Sequence, residues 1–416
     1  MTISGKQRIA YTNHTGKVSG AEKVLLSMLR GLDKTRYEPL VICPAEENLQ
    51  DMVGAEGIPC ATVPVLHARF TWRPRELFRY ILSFIGLILK TRKEIERYDP
   101  HFVHANTVRA GIAATISTMG THRTVVWHVH DDLPQHPLSK VIRLLAHSSK
   151  RTQIVAVSKA TAETFLGTYS FEGRVHVIPN GTDLRQFPLK RTGESPFKNE
   201  LGISEQSFLV CAVGQICARK GLRALLEAFS EIYDDAPLTH LAIVGKPVFS
   251  HEEQYRDELV EMTTAAVIAD RVHFTGERED ISAILRSADL LVLNSLEEPF
   301  GLVLVEAMSS GTPVLATRVG GIPEIVTDAE SGWLIQRNDT AALANKLLEL
   351  SQNPSVLMQV ARYAHDEVSP RFSLEGFLSN LHSFYTELTK LSCANRKIET
   401  SALFTELRKE QGDQHV

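Results

Sequence analysis

Residues 289–317 read DLLVLNSLEEPFGLVLVEAMSSGTPVLAT. The run Asp289–Asn294 is apolar with little alternation, the pattern of a strand buried on both faces. A polar loop carrying Glu297 and Glu298 follows, a helix is expected from about Gly301, and Pro313–Thr317 is strand-like again. Strand, loop, helix and strand in that order make the unit of a parallel sheet. Ligands of such sheets bind beyond the carboxyl ends of the strands, so Glu298 stands at the expected ligand edge. Glu306 falls on the helix among Val303, Leu304, Val305, Ala307 and Met308. A carboxylate there needs a partner, because burying it alone is costly.

The same alternation runs through the chain. Strands are expected at Arg8–Thr12, Tyr37–Cys43, Ala61–Val65, Phe102–Ala105, Thr124–His128, Gln153–Val157 and Val175–Pro179. A second set is expected at Phe208–Val213, His240–Val244, Val272–Thr275, Asp289–Asn294, Pro313–Thr317 and Gly332–Ile335. Helical periodicity lies between them, as in Ala21–Leu32, where Ala21, Val24, Leu25, Met28, Leu29 and Leu32 share one face. Residues 180–206 are rich in Gly, Pro, Ser and charge and read as a linker. The expected architecture is α/β, with two Rossmann-like doubly wound domains facing across a cleft. Residues 1–185 form the first domain and 186–370 the second. A helix over 371–391 is expected to pack back toward the first domain, ahead of a polar tail over 392–416.

Composition narrows the function. The chain has 416 residues, 43% of them hydrophobic and 23% charged, with a net charge of −4, so nothing draws it to nucleic acid. Five scattered cysteines suit reduced thiols in a cytoplasmic protein. The opening MTISGKQRIAYTNHTG lacks the apolar core of a secretory signal. The apolar run Ile81–Leu89 is too short for a membrane span, which takes roughly 20 residues.

Other segments carry candidate chemistry. In Val213–Gly221 (VGQICARKG), between a strand and a helix, the glycines allow close backbone approach while Arg219 and Lys220 place positive charge at a helix start. Such fixed cations and N–H groups stabilise the charge that develops on a departing diphosphate. The amides of Phe300, Gly301 and Leu302 suit sugar or phosphate oxygens at the next helix N-terminus. Ser19–Glu22 (SGAE) opens the first helix. Thr15-Gly-Lys17 is no P-loop, because Tyr11 and Val18 stand where that motif needs Gly and Ser or Thr. His128 and His130 lie on one face of a strand that ends near Asp131. Without a third ligand nearby in sequence they do not read as a metal site. His130 suits a sugar hydroxyl or the acceptor, and His128 a structural role.

Together with Asp99–His104 (DPHFVH), Val157–Ala160 (VSKA), Val177–Asp183 (VIPNGTD), Ser310–Val314 (SGTPV) and Gly320–Glu324, these stretches resemble glycosyltransferase family 4, also called glycosyl transferases group 1, of the GT-B fold. The resemblance covers nearly the whole chain. It implies a retaining enzyme that moves a sugar from a nucleoside-diphosphate sugar to an acceptor hydroxyl, in polysaccharide or glycolipid assembly, without a metal or other cofactor. The first domain would bind the acceptor and the second the donor. By this resemblance His130, Glu298 and Lys220 are the catalytic residues. Gly20, Gln215, Arg219, Lys220, Glu298, Phe300, Gly301, Leu302 and Glu306 would hold the donor, with Glu306 on the ribose and Lys220 on the diphosphate. Two positions depart from the family: Gln215, where it often has Arg, and Ser19, where a second glycine is common. Alternatives are a sugar-nucleotide epimerase of the same fold and a non-enzymatic sugar-nucleotide sensor.

Residues 69–97 hold Arg69, Arg73, Arg75, Arg79, Lys90, Arg92, Lys93 and Arg97 around LFRYILSFIGLILK. As a helix this stretch fits either a first-domain packing element or a peripheral contact with the cytoplasmic membrane face, close to a glycan or lipid-linked acceptor.

Overall fold

The computed structural model describes residues 5–66, 74–134, 136–190 and 195–390. Arg69, Arg73 and the tail 392–416 lie outside the described residues. The chain divides into two compact units, one running to Ile178 and resuming at Phe377, the other Pro179–Gly376.

The first unit is built on β1 (Gln7–Thr12), β2 (Tyr37–Pro44), β3 (Cys60–Val63), β4 (Phe102–Ala105), β5 (Thr124–Val129), β6 (Thr152–Ala156) and β7 (Val175–Val177). Their order is β3-β2-β1-β4-β5-β6-β7, with parallel pairing. The second holds β8 (Phe208–Val213), β9 (Thr239–Val244), β10 (Val272–Gly276), β11 (Leu290–Leu293), β12 (Val314–Thr317) and β13 (Trp333–Ile335), in the order β10-β9-β8-β11-β12-β13. Both sheets therefore start in the middle, wind outward to one edge and return to wind to the other. In sheets of this kind ligands bind at the strand ends where the order reverses, here after β1 and β4 and after β8 and β11. Strands read from apolar runs are found within a residue or two of their expected places, because both faces of each sheet are covered. Trp127, Val103 and Phe165 lie in the first core, and Leu226, Phe229 and Leu315 in the second.

Two further stretches bear on the expected organisation. Residues 180–206 read as a linker, yet Pro196–Glu200 is helical and Phe197 is buried. Lys198 is buried too, its Nζ 2.7 Å from the Asp289 carboxylate and donating to the Ser207 carbonyl. Asp289 also accepts from the Leu209 amide at 2.8 Å, so one carboxylate ties this segment to β8 and the approach to β11. Residues 374–390 form a helix that carries the chain into the first unit. Its Tyr385 is fully buried; the Tyr385 hydroxyl accepts from Tyr11 Oη at 3.2 Å and lies 2.8 Å from His104 Nδ1.

Candidate functional site

In the second unit, the loops leaving β8 and β11 are joined backbone to backbone. Leu296 N donates to the Arg219 carbonyl at 2.8 Å, and Asn294 Nδ2 donates to the Gly221 carbonyl at 2.9 Å. Gly221 has φ +63°, and a Cβ there would stand 2.0 Å from the Asn294 carbonyl oxygen. Gly320 plays the same part on the other side: its Cβ would be 2.0 Å from the Glu298 carbonyl oxygen, and Gly321 N donates to that oxygen at 2.9 Å. The loop bearing Glu298 is thus held between two close backbone approaches that only glycine permits.

This arrangement brings Lys220 and Glu298 together across 78 residues of sequence. Lys220 Nζ lies 2.5 Å from Glu298 Oε2, with side-chain exposures of 16% and 10%. Ser295 Oγ donates to the same oxygen at 3.0 Å, and Thr317 Oγ1 fixes the Ser295 carbonyl at 2.5 Å. Ser295 and Thr317 had no expected role. Their only signal in sequence is a small hydroxyl residue at or just after a strand end. A small opening with room for little more than a water lies beside Lys220, lined in part by Gly214, Gln215, Lys220, Leu293 and Asn294.

Arg219 is tied to the loop that bears Glu298. Its guanidinium donates to the Glu297 carbonyl at 3.2 Å and so braces the loop. Gln215 is turned toward a carboxylate. Its Nε2 faces the Glu252 carboxylate, 2.7 Å from each oxygen, as a donor shared between the two. Glu252 also accepts from the Val248 and Phe249 amides at the start of the helix Ser250–Ala265. Burial raises the Glu252 pKa, but the bonds from Gln215 and the two amides outweigh it, and the carboxyl is held below its ordinary value.

The helix after β11 runs Leu302–Ser309 with Gly301 as its N-cap at φ +99°. Its first amides have no partner inside the helix and are available to an anion. The Phe300 ring is buried against Phe372, centroids 5.6 Å apart, so the ring is taken up by packing. Glu306 is half-buried on the same helix.

Gly20 and His130 belong to the first unit. Gly20 is the first residue of the helix Gly20–Gly31, and a Cβ there would meet nothing within 4 Å, so packing in the unit does not require glycine. Glu22 is buried and shapes the preceding loop: it accepts from Ser19 N and Oγ and from Asn13 Nδ2. His130, just past β5, lies against His128, centroids 4.0 Å apart and the rings tilted by 40°. His128 Nδ1 lies 3.2 Å from His104 Nε2, a structural pairing that continues to Tyr385. Burial pushes His104 and His130 down to about 3, and burial with its two histidine neighbours holds His128 well below its usual value.

These rings stay neutral in the folded chain. Above the ordinary histidine pKa of 6.5 they cost nothing; below it the unfolded chain takes up protons that the folded one refuses. Stability is therefore present above pH 6.5 and drains as pH falls toward 3. His104 alone should cost about 2 kcal/mol at pH 5. Thermal melts are expected to show the first unit less stable at pH 5 than at pH 7; equal melting temperatures would contradict a neutral cluster.

Comparison with known proteins agrees with this architecture. Residues 18–186 match the family model Glycosyltransferase Family 4, and residues 194–367 match Glycosyl transferases group 1. N-acetyl-alpha-D-glucosaminyl L-malate synthase of Bacillus anthracis is 28% identical over 193 residues, and the match spans 46% of this chain and about half (49%) of that relative. An Escherichia coli UDP-Gal:alpha-D-GlcNAc-diphosphoundecaprenol alpha-1,3-galactosyltransferase is 25% identical over 92% of this chain and 97% of its own. The Anabaena protein Alr3699/HepE, solved in complex with UDP and glucose, superposes with a TM-score of 0.79 at 25% identity, covering 91% of this chain and 99% of that one. The chain belongs to the group 1 glycosyltransferase family.

Proposed function

We propose that the protein is a retaining glycosyltransferase that takes a sugar from a nucleoside-diphosphate sugar and delivers it to an acceptor hydroxyl. The observation that carries this reading is the Lys220–Glu298 pair at the ends of β8 and β11, beside a small opening and a helix N-terminus. As the bond between the anomeric carbon and the diphosphate oxygen breaks, its electron pair goes to that oxygen. Lys220 and the amides of Gly301 and Leu302 stabilise the charge that forms there. The acceptor oxygen attacks from the face the diphosphate leaves, and its proton passes to a phosphate oxygen. Glu298, released from Lys220 by the incoming phosphate, accepts from sugar hydroxyls, and Glu306 accepts from the ribose diol. His130 serves the reacting sugar or the acceptor as a neutral ring, and Gly20 leaves room for the diphosphate. With cations and helix amides at the phosphates, the reading needs no metal.

The acceptor we favour is lipid-linked, at the cytoplasmic membrane face. Among the described residues no helix is long and apolar enough to cross a membrane. The helix Pro74–Tyr98, however, exposes Phe78 (61%), Ile81, Leu82, Ile85 and Leu89 (63%), which recur at helical spacing, with Arg75, Arg79, Lys90 and Lys93 along it. An apolar stripe with basic neighbours suits an anionic lipid surface. One experiment tests both parts: labelled UDP-, GDP- and ADP-sugars are incubated with the protein and anionic vesicles bearing undecaprenyl-diphosphate sugars. Label is expected in the lipid, and the protein should sediment with the vesicles, with Leu82→Glu and Leu89→Glu weakening sedimentation several-fold. A free sugar nucleotide changed without acceptor would mean an epimerase, and binding without turnover a sensor. Either result would overturn transfer, and failure to sediment would overturn the membrane contact.

A further inference from the structure

In the first unit a row of buried polar rings climbs from the C-terminal helix to the strand end that bears His130. Tyr11 Oη donates to Tyr385 Oη at 3.2 Å, and that hydroxyl lies 2.8 Å from His104 Nδ1. His104 Nε2 in turn lies 3.2 Å from His128 Nδ1. All four side chains are fully buried. These contacts have a direction. The Tyr11 hydroxyl has no other partner among the described residues, so running the chain the other way would strand its proton. With Tyr11 donating, the one proton of Tyr385 goes to His104 Nδ1. A neutral imidazole carries a single N–H, so His104 accepts at Nδ1 and donates from Nε2 to His128 Nδ1. The proton of His128 then sits on Nε2. That nitrogen faces away from His104, because the two nitrogens of an imidazole point apart, and it is buried with no partner among the described residues. The ring of His130 lies against it, and His130 Nε2 is buried and unpartnered as well.

We propose that Tyr385 is a positioning residue: through His104 and His128 it keeps an N–H at His128 Nε2, so that His128 and His130 together form a subsite for a hydroxyl of the bound sugar or acceptor. The inference rests on the transfer reading above. A buried N–H without an acceptor is costly, and such a group is explained where an oxygen arrives to take it. A hydroxyl fits an N–H beside a second imidazole nitrogen, because it accepts from one and can donate to the other. Without the Tyr385 hydroxyl, His104 Nδ1 has no donor and the bond between His104 and His128 can run either way. His128 then presents a bare Nε2 for part of the time, and a bare nitrogen cannot donate. The residue that sets this proton stands 281 positions from His104 in sequence, on a helix that the fold brings back to the first unit.

Tyr385→Phe tests this, since it removes the hydroxyl and keeps the ring that packs against Phe102 and Phe384. In protein carrying isotope-labelled histidine, long-range proton–nitrogen correlation spectra report which ring nitrogen holds the hydrogen, and His128→Gln identifies the His128 signals by removing them. The unaltered chain is expected to show His128 protonated at Nε2 alone, and Tyr385→Phe a mixture of both tautomers. Transfer by Tyr385→Phe should fall about three- to tenfold in kcat/KM, the worth of one hydrogen bond. A rise confined to the KM of the sugar nucleotide places the hydroxyl on the donor sugar, and one confined to the KM of the acceptor places it there; both support the subsite. His128→Gln puts an amide N–H near the place of Nε2 and makes the donor independent of the chain below it. Adding Tyr385→Phe in that background should therefore cost less than about twofold. An equal loss in both backgrounds would mean packing alone and overturn the inference. So would His128 protonated at Nδ1 in the unaltered chain, or a tautomer that Tyr385→Phe leaves unchanged. If the unaltered chain transfers no sugar, the transfer reading falls and takes the subsite with it, while the spectra still decide the direction of the chain.

Discussion

Lys220→Ala is expected to lower transfer by at least about 10²–10³-fold, the usual cost of removing one donor aimed at developing charge. The variant should also be less stable, and for a separate reason. Glu298 is buried and shares its Oε2 between Lys220 Nζ at 2.5 Å and Ser295 Oγ at 3.0 Å. Taking away the ammonium leaves a carboxylate out of water with a single hydroxyl for a partner. Breaking a buried pair from one side costs about 3–5 kcal/mol. The second unit should therefore melt several degrees lower. The two losses separate in the double variant Lys220→Met with Glu298→Gln, which has no stranded charge: its melting temperature should recover while transfer stays lost. Recovery of transfer in that double variant, or near-full transfer in Lys220→Ala, would show that the pair is only structural. Glu298→Gln alone should also reduce turnover strongly.

Gly221→Ala should be nearly as damaging, although the added group is one methyl. At φ +63° an alanine costs about 1–2 kcal/mol relative to its preferred conformations. The larger cost is steric. The new Cβ would lie 2.0 Å from the Asn294 carbonyl oxygen, a backbone atom at the end of β11 that cannot rotate away. The loops after β8 and β11 must part, which breaks the Asn294 contact to the Gly221 carbonyl and draws Lys220 off Glu298. A loss of at least about 3 kcal/mol and of more than about a hundredfold in transfer is expected, read by denaturant melts and initial rates. Gly20→Ala is the control for fold, since its Cβ meets open space and its melting temperature should match that of the unaltered chain. A Gly221→Ala protein as stable as the control would mean that the close approach is not needed.

The sequence by itself determined the elements and the chemistry available at their ends. Fully covered strands leave an apolar run that any reading of periodicity finds, as at Phe208–Val213 and Phe102–Ala105, and helix starts carry local marks such as Ser19 and Glu22. The positions of Glu298, Lys220 and Gly301 just after strands were legible, because the apolar runs of β8 and β11 mark where those strands end. Which of these side chains meet was not legible. Lys220 and Glu298 become partners only because β8 and β11 are adjacent in the order β10-β9-β8-β11-β12-β13. No local pattern states that order. Composition misread 180–206 for the same reason: Phe197 and Lys198 look like linker residues until Asp289 is brought to them. Gln215 is the sharpest case. By sequence it was a weakened substitute for a phosphate-binding arginine. Tertiary structure set Glu252 against it, and a carboxylate that can only accept decides which way an amide must face.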